Sequence, residues 1–210
     1  MKRLRAVIFD LDGTIVDVPY DWNLIKEELG TKGKPILFYI AGLKEPDKSE
    51  KWKLLEKHEK EATSKAVLKK GILQLLDLLA ERGIKRALVT NNSRENVTFL
   101  LKKFKLEFDC LISRESGLWK PSSAPFLVVL RELKIDKEEC CVVGDSPFDL
   151  KAAEEAGISQ VFILSKNKEK FSGTSVEVFE SVESLRRRIE DILKTQASKL
   201  KTDERIKSEE

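Results

Sequence analysis

Residues 5–17 read Arg-Ala-Val-Ile-Phe-Asp-Leu-Asp-Gly-Thr-Ile-Val-Asp. Ala6 to Phe9 is a continuous apolar run, the pattern of a strand buried on both faces of a parallel sheet. Asp10 and Asp12 follow at once, then Gly13 and Thr14. In a regular strand the two carboxylates would leave the same face. Two anions so close resist ionising together unless a cation joins them. Aspartate beside glycine also suits the point where a strand becomes a turn. Taken alone, the stretch reads equally well as a strand ending in a solvated acidic loop. Whether the rest of the chain supplies a counter-charge and a metal site decides between the two.

Outward from this strand the pattern changes twice. Residues 17–70 hold a turn at Val18-Pro19-Tyr20, a short helix from Asp21 to about Leu29 and an apolar segment from Pro35 to Leu43. A long charged helix then runs from Glu50 to about Lys70, with a narrow apolar face through Trp52, Leu55, Glu59 and Ala62. No strand is expected there, so 17–70 is read as a small helical insert. From Gly71 onward strand and helix alternate. Strands are expected at Arg86–Thr90, Phe108–Ser113, Cys140–Gly144 and Gln160–Leu164. Gly83 and Gly157 stop helices, Asn92 or Ser93 caps one, and Pro125 suits a first turn. The expected fold is α/β, a doubly wound parallel sheet with right-handed crossovers and the helical insert after its first strand. The expected divisions are a core of 1–16 and 71–194, an insert of 17–70 and a charged C-terminal tail of 195–210, helical only to about Lys194.

Composition narrows the function classes. The chain has 210 residues, 41% hydrophobic and 36% charged, with 39 basic against 36 acidic side chains. A formal net charge of +3 does not argue for nucleic acid or a membrane surface. No apolar run approaches the roughly 20 residues of a membrane span, and the first strand leaves no room for a signal peptide. Cys110, Cys140 and Cys141 lie in strand-like runs and form no metal-binding spacing. Free thiols in a reducing cytoplasm are the expectation.

In open parallel sheets ligands bind beyond the carboxyl ends of the strands. Asp10 and Asp12 follow the first apolar run, and Thr90 ends the second. Lys120 comes soon after the third, and Gly144-Asp145-Ser146 closes the fourth, with Asp149 four residues beyond Asp145. Singly, each has an ordinary reading: Thr90 as a cap, Lys120 as a solvated lysine, Asp149 as a dipole partner of its helix. Together they place carboxylates, a hydroxyl and an ammonium at neighbouring strand tips.

This set resembles the haloacid dehalogenase superfamily, and its helical-cap, phosphoglycolate-phosphatase-like members in particular. The motifs that carry the likeness are Asp10-Leu-Asp12-Gly-Thr14, Thr90-Asn91-Asn92, Lys120-Pro121 and Gly144-Asp145-Ser146-Pro-Phe-Asp149. Ser123 departs from the pattern, standing where relatives with a Lys-Pro-x-Pro loop have proline. The resemblance implies a Mg²⁺-dependent phosphomonoester hydrolase acting on a small phosphorylated metabolite. Physical chemistry supports each role it assigns. Asp10, Asp145 and the Asp12 carbonyl offer the hard oxygens Mg²⁺ prefers, with Asp149 as a ligand or as the group orienting one. Asp10 is the nucleophile, and Asp12 the general acid and base. Thr90, Asn91 and Lys120 hold the phosphate. A phosphomutase of the same family is the alternative, and a non-catalytic binding module a more distant one. Trp22, Phe38, Tyr39 and Trp52 are expected to form the insert's own core, and His58 to be exposed. Lys32 and Lys34 are weak candidates to meet an anionic substrate. The sequence leaves oligomeric state open.

Overall fold

The computed structural model describes residues 2–209, with side chains through residue 198. In chain order the elements are β1 (Ala6–Phe9), β2 (Val16–Asp17), α1 (Trp22–Leu29), α2 (Ile36–Ala41), α3 (Asp47–Ser64), β3 (Val67–Leu68), α4 (Ile72–Glu81), β4 (Lys85–Val89), α5 (Arg94–Phe104), β5 (Cys110–Ile112), α6 (Ala124–Leu133), β6 (Cys140–Gly144), α7 (Pro147–Glu155), β7 (Val161–Leu164), β8 (Glu177–Phe179) and α8 (Val182–Glu209).

The main sheet is six-stranded and parallel, in the order β5-β4-β1-β6-β7-β8. β1 is central, with Ala6 opposite Lys85 on one side and Cys140 on the other. Alternation along the strands divides the core in two. Val7, Phe9, Leu88, Cys141 and Val143 face α4, α5 and α8. Ala6, Ile8, Ala87, Val89 and Val142 face α6 and α7. Helices on both faces explain why every residue of β1 and β6 is buried. From β1 the chain passes to one side through β4 and β5, then returns to fill the other from β6 outward. Such a reversal opens a crevice at the strands' carboxyl ends.

Local chemistry places the helix starts. Ser93 caps α5 by accepting from the Asn96 N–H at 3.3 Å. Pro125 lies in the first turn of α6, and Pro147 in that of α7. The helices α1, α2 and α3 share a separate small core of Ile25, Leu29, Leu37, Ile40 and Leu55.

Several boundaries differ from the sequence reading. The long charged helix spans Asp47–Ser64, not 50–70. After it the chain forms β3, which pairs antiparallel with β2 (Val16 opposite Leu68) in a ribbon at the base of the insert. Strands of two residues leave no periodicity to read. The apolar segment after Pro35 is the helix α2. β8 is a sixth strand, unanticipated because only three residues carry it along the sheet's edge. Helix α8 continues past Lys194 to Glu209, since no glycine or proline follows Gly173 to stop it. Gln196 also anchors that extension, accepting from the Leu4 N–H at 3.0 Å and donating to the Lys2 carbonyl at 3.2 Å.

Candidate active site

The Asp10 N–H donates to the Val143 carbonyl at 2.9 Å, extending the β1–β6 ladder one residue past the strand. This fixes Asp10 at the sheet's carboxyl edge, beside the loop that leaves β6. Lys120, from the loop between β5 and α6, is buried there. Its Nζ donates to Asp10 Oδ1 and to Asp149 Oδ1, both at 2.6 Å. The second oxygen of Asp149 accepts from Ser146 Oγ at 2.7 Å and from the Ser146 N–H at 3.1 Å, in a capping box at the start of α7. Asp10, Asp145 and Asp149 each bring a carboxylate oxygen within 4.8 Å of the others. Two glycines make this crowding feasible. A Cβ at Gly13, whose φ is +83°, would lie 2.1 Å from Asp145 Oδ2, and one at Gly144 would lie 2.4 Å from Asp149 Cβ.

Asp12 is held apart from that cluster. Its carboxylate accepts from Asn92 Nδ2 at 2.9 and 3.2 Å and from the Tyr20 hydroxyl at 3.3 Å. Asn92 is itself oriented, since its Oδ1 accepts from Asn96 Nδ2 at 3.0 Å. Thr90 Oγ1 accepts from the Asn92 N–H at 3.0 Å. The Asn91 side chain staples the β4 tip to the lysine loop, donating to the Lys120 carbonyl and accepting from its N–H, each at 2.9 Å.

Electrostatics follow from burial. Burial raises the Asp10 carboxyl well above the usual range, and Asp149, Asp145 and Asp12 push it the same way against the pull of Lys120. Burial and the Asp149 charge raise Asp145 to about 7. Asp12 is also raised by burial, with the Asn92 and Tyr20 hydrogen bonds opposing. For Lys120 burial alone would lower the pKa, but the carboxylates of Asp10 and Asp149 outweigh it and keep the ammonium charged. A buried site with three adjoining carboxylate oxygens and one ammonium is short of positive charge. Its donors are the hard oxygens that suit a divalent cation such as Mg²⁺.

Above this floor opens a cavity of about 700 Å³. Asp10, Asp12, Thr90, Asn91, Lys120 and Asp145 line its base, and Trp22, Phe38 and Phe148 line it further out. Four residues here had no site role from the sequence: Tyr20, Glu59, Asn92 and Arg114. Glu59 of α3 and Arg114 after β5 form a buried ion pair that ties the insert to the sheet. The Arg114 Nε donates to the Asn91 carbonyl at 3.0 Å, and its guanidinium lies 5.5 Å from the Trp52 ring centroid. A glutamate on an otherwise apolar helix face was the available signal for Glu59. Arg114 had none, because its partner lies 55 residues away.

The aromatic expectation divides. Tyr39 and Trp52 pack against the insert's core. Trp22 and Phe38 are 41% and 46% exposed on the cavity wall, because α1 and α2 bury their other faces. Lys34 lines the cavity and Lys32 is not among its lining residues. His58 is partly buried and sits 2.7 Å from Glu28, away from the cavity. All three cysteines are free. Among the described residues no helix is long and apolar enough to cross a membrane.

Comparison with known proteins agrees with this architecture. The family model for haloacid dehalogenase-like hydrolases matches residues 20–163, well over half of the chain. A phosphoglycolate phosphatase of Aquifex aeolicus is 30% identical over 183 residues, spanning 77% of this chain and 85% of the relative. A phosphorylated carbohydrates phosphatase of Thermotoga maritima is 28% identical, over 76% of this chain and 84% of its own. The crystal structure of a hydrolase from Pseudomonas syringae shares the fold, with a TM-score of 0.73 at 20% identity over 90% of this chain and 99% of that one. A family match of this extent, on a parallel sheet whose strand tips gather four aspartates and a lysine, makes the chain a member of the haloacid dehalogenase-like hydrolase family and so an enzyme.

Proposed function

We propose that the protein is a Mg²⁺-dependent phosphatase that hydrolyses a small organic phosphate monoester through an aspartyl-phosphate on Asp10. The observation that carries this reading is the floor itself. The acid at the first strand's tip shares one buried lysine with Asp149, at 2.6 Å each, and Asp145 lies within 4.8 Å. The phosphatase names of the relatives support the same reaction class.

Asp10, Asp145 and Asp149 would hold the Mg²⁺ between them, and the Asp12 backbone carbonyl is proposed as a further oxygen ligand. Bound there, the ion offsets the repulsion between an anionic nucleophile and a phosphate dianion. The protein's own groups account for the rest. Lys120 holds Asp10 in place and adds positive charge beside the phosphoryl oxygens. The Thr90 hydroxyl and the Asn91 N–H donate to those oxygens. An Asp10 oxygen attacks phosphorus as the bond from phosphorus to the ester oxygen breaks. Asp12 gives its proton to the departing alkoxide. It then takes a proton from the water that cleaves the aspartyl-phosphate, returning Asp10 and inorganic phosphate. Burial moves the Asp12 carboxyl upward, the direction a general acid needs, and Asn92 and Tyr20 hold it clear of the metal-binding oxygens.

The division of labour belongs to the same proposal. Residues 1–16 and 71–194 form the catalytic core, and 17–70 act as a cap over it. The substrate is a small phosphorylated molecule, in a reducing cytoplasm consistent with three free cysteines. The test is release of phosphate from p-nitrophenyl phosphate with and without Mg²⁺. Turnover that needs the ion and vanishes in Asp10→Asn is expected. Full activity in that variant would remove Asp10 as nucleophile.

A further inference from the structure

Four aromatic side chains rank among the exposed large hydrophobics: Trp22, Phe38, Phe99 and Phe148. Three of them, at 41%, 46% and 40% exposure, line the one cavity that holds the acids. They come from three separate elements, α1, α2 and the first turn of α7. Scattered exposed apolar residues need no explanation, but aromatic faces gathered around a single cleft do.

Their arrangement starts at the chemistry. The Tyr20 hydroxyl lies 3.3 Å from Asp12 Oδ1, and the Tyr20 ring packs tilted against Trp22, with centroids 4.4 Å apart and planes at 35°. Asp12 is the group that protonates the departing alcohol, so the aromatic wall begins where the leaving group emerges. Phe38 is fixed edge-on against Trp119, with centroids 5.6 Å apart and planes at 89°, so its ring is held in place before a ligand arrives. A cavity of about 700 Å³ falls within the range of clefts that enclose drug-sized ligands, about 300–1,000 Å³. A two-carbon alcohol would leave most of this wall uncovered.

We infer that the alcohol released at this site carries a planar ring, which lies against the wall formed by Trp22, Phe38 and Phe148. The inference rests on the phosphatase reading and adds to it the class of leaving group. Stacking of a planar ring on an aromatic side chain is strong enough to change affinity by about tenfold or more.

The test compares three alkyl esters whose alcohols differ little in acidity, so that the chemical step is matched: 2-phenylethyl, 2-cyclohexylethyl and ethyl phosphate, each with Mg²⁺. The expected kcat/KM for the phenyl ester exceeds both others by about tenfold or more. Trp22→Ala should bring that ratio down about tenfold, Phe38→Ala should lower it less, and Trp22→Phe should keep most of it. Equal values for all three esters would overturn the inference. So would an advantage shared by the cyclohexyl ester, or a phenyl preference surviving both alanine variants. p-Nitrophenyl phosphate separates the two levels. If the same preparation does not hydrolyse it, the phosphatase reading falls and takes this inference with it. If it hydrolyses p-nitrophenyl and ethyl phosphate but shows no ring preference, only the inference falls.

Discussion

Asp10, Lys120 and Asp149 on the cavity floor are each under one-tenth exposed and share hydrogen bonds of 2.6 Å, whereas Trp22 and Phe38 on the wall stand more than two-fifths exposed. The contrast has a physical basis. A buried charge stripped of its partner leaves an uncompensated ion, at a cost of about 3–5 kcal/mol. An exposed ring can be exchanged for another apolar side chain at a cost usually within about 0.5 kcal/mol. The floor therefore tolerates little change, as a site that runs the proposed reaction would. The wall can vary without unfolding the protein, and under the same proposal that freedom suits it to set which alcohol is accepted.

The strongest way to break this comparison is at Asp10. Asp10→Asn should lower kcat by about 10⁴-fold or more while the fold persists, because Lys120 keeps its bond to Asp149. Phosphate release checks the first outcome and circular dichroism the second. A variant retaining a tenth of the activity would place the nucleophile elsewhere.

Removing the shared cation tests the floor's stability. Lys120→Met should cost about 3–5 kcal/mol, read as a fall in the urea midpoint at unchanged slope, since two buried carboxylates lose their partner. A loss below about 1 kcal/mol would mean the floor is far better solvated than its burial implies. Arg114→Met asks the same of the junction between floor and wall. It strands Glu59, whose pKa burial already raises, so a loss of about 3 kcal/mol is expected at pH 8. The loss should be smaller at pH 5, where the carboxyl can take up a proton.

The pH dependence of the metal-free protein sharpens the electrostatic half. Asp145 has a folded pKa near 7 against an ordinary 3.8, so the folded state binds its proton more tightly than the unfolded state does. Between those values the folded state carries more protons, and stability falls as pH rises. The penalty is absent below about pH 4 and complete above about pH 7. Thermal midpoints should therefore drop from pH 5 to pH 8 without metal. Mg²⁺ at 100 times its Kd should raise stability at pH 8 by about 2.7 kcal/mol, and EDTA should reverse the gain. A flat profile, insensitive to Mg²⁺, would sink this account of the floor. The smallest effect is expected at His58→Ala, which removes a partly exposed pair with Glu28, costs about 0.5 kcal/mol and leaves turnover untouched.

The acids of the floor were legible in the chain because each sits directly against a signal that patterning can read, whereas Lys120 was picked out only by its company with them. Asp10 follows four apolar residues, Asp145 follows Gly144 at the end of another run, and Pro147 marks the helix that carries Asp149. The wall was not legible in this way. Whether Trp22 and Phe38 turn inward or outward depends on how α1, α2 and α3 pack on one another, and no single helix states that. The same holds for Arg114 and for the two-residue strands β2 and β3, whose partners lie far along the chain, while β8 is too short to show a period.

By itself, the sequence determined the parallel sheet, the tips at which acids and a lysine would stand, and the family to which they point. Local hydrophobic period and turn chemistry are properties of neighbouring residues, so one dimension suffices to record them. Only the tertiary structure decided that Lys120 bridges Asp10 and Asp149, that Asn92 and Tyr20 hold Asp12, that Glu59 meets Arg114 and that three aromatics face one cavity. Apart from Tyr20 and Asp12, those are meetings between residues tens of positions apart, brought about by burial of the two faces of the sheet and of a third, smaller core above it.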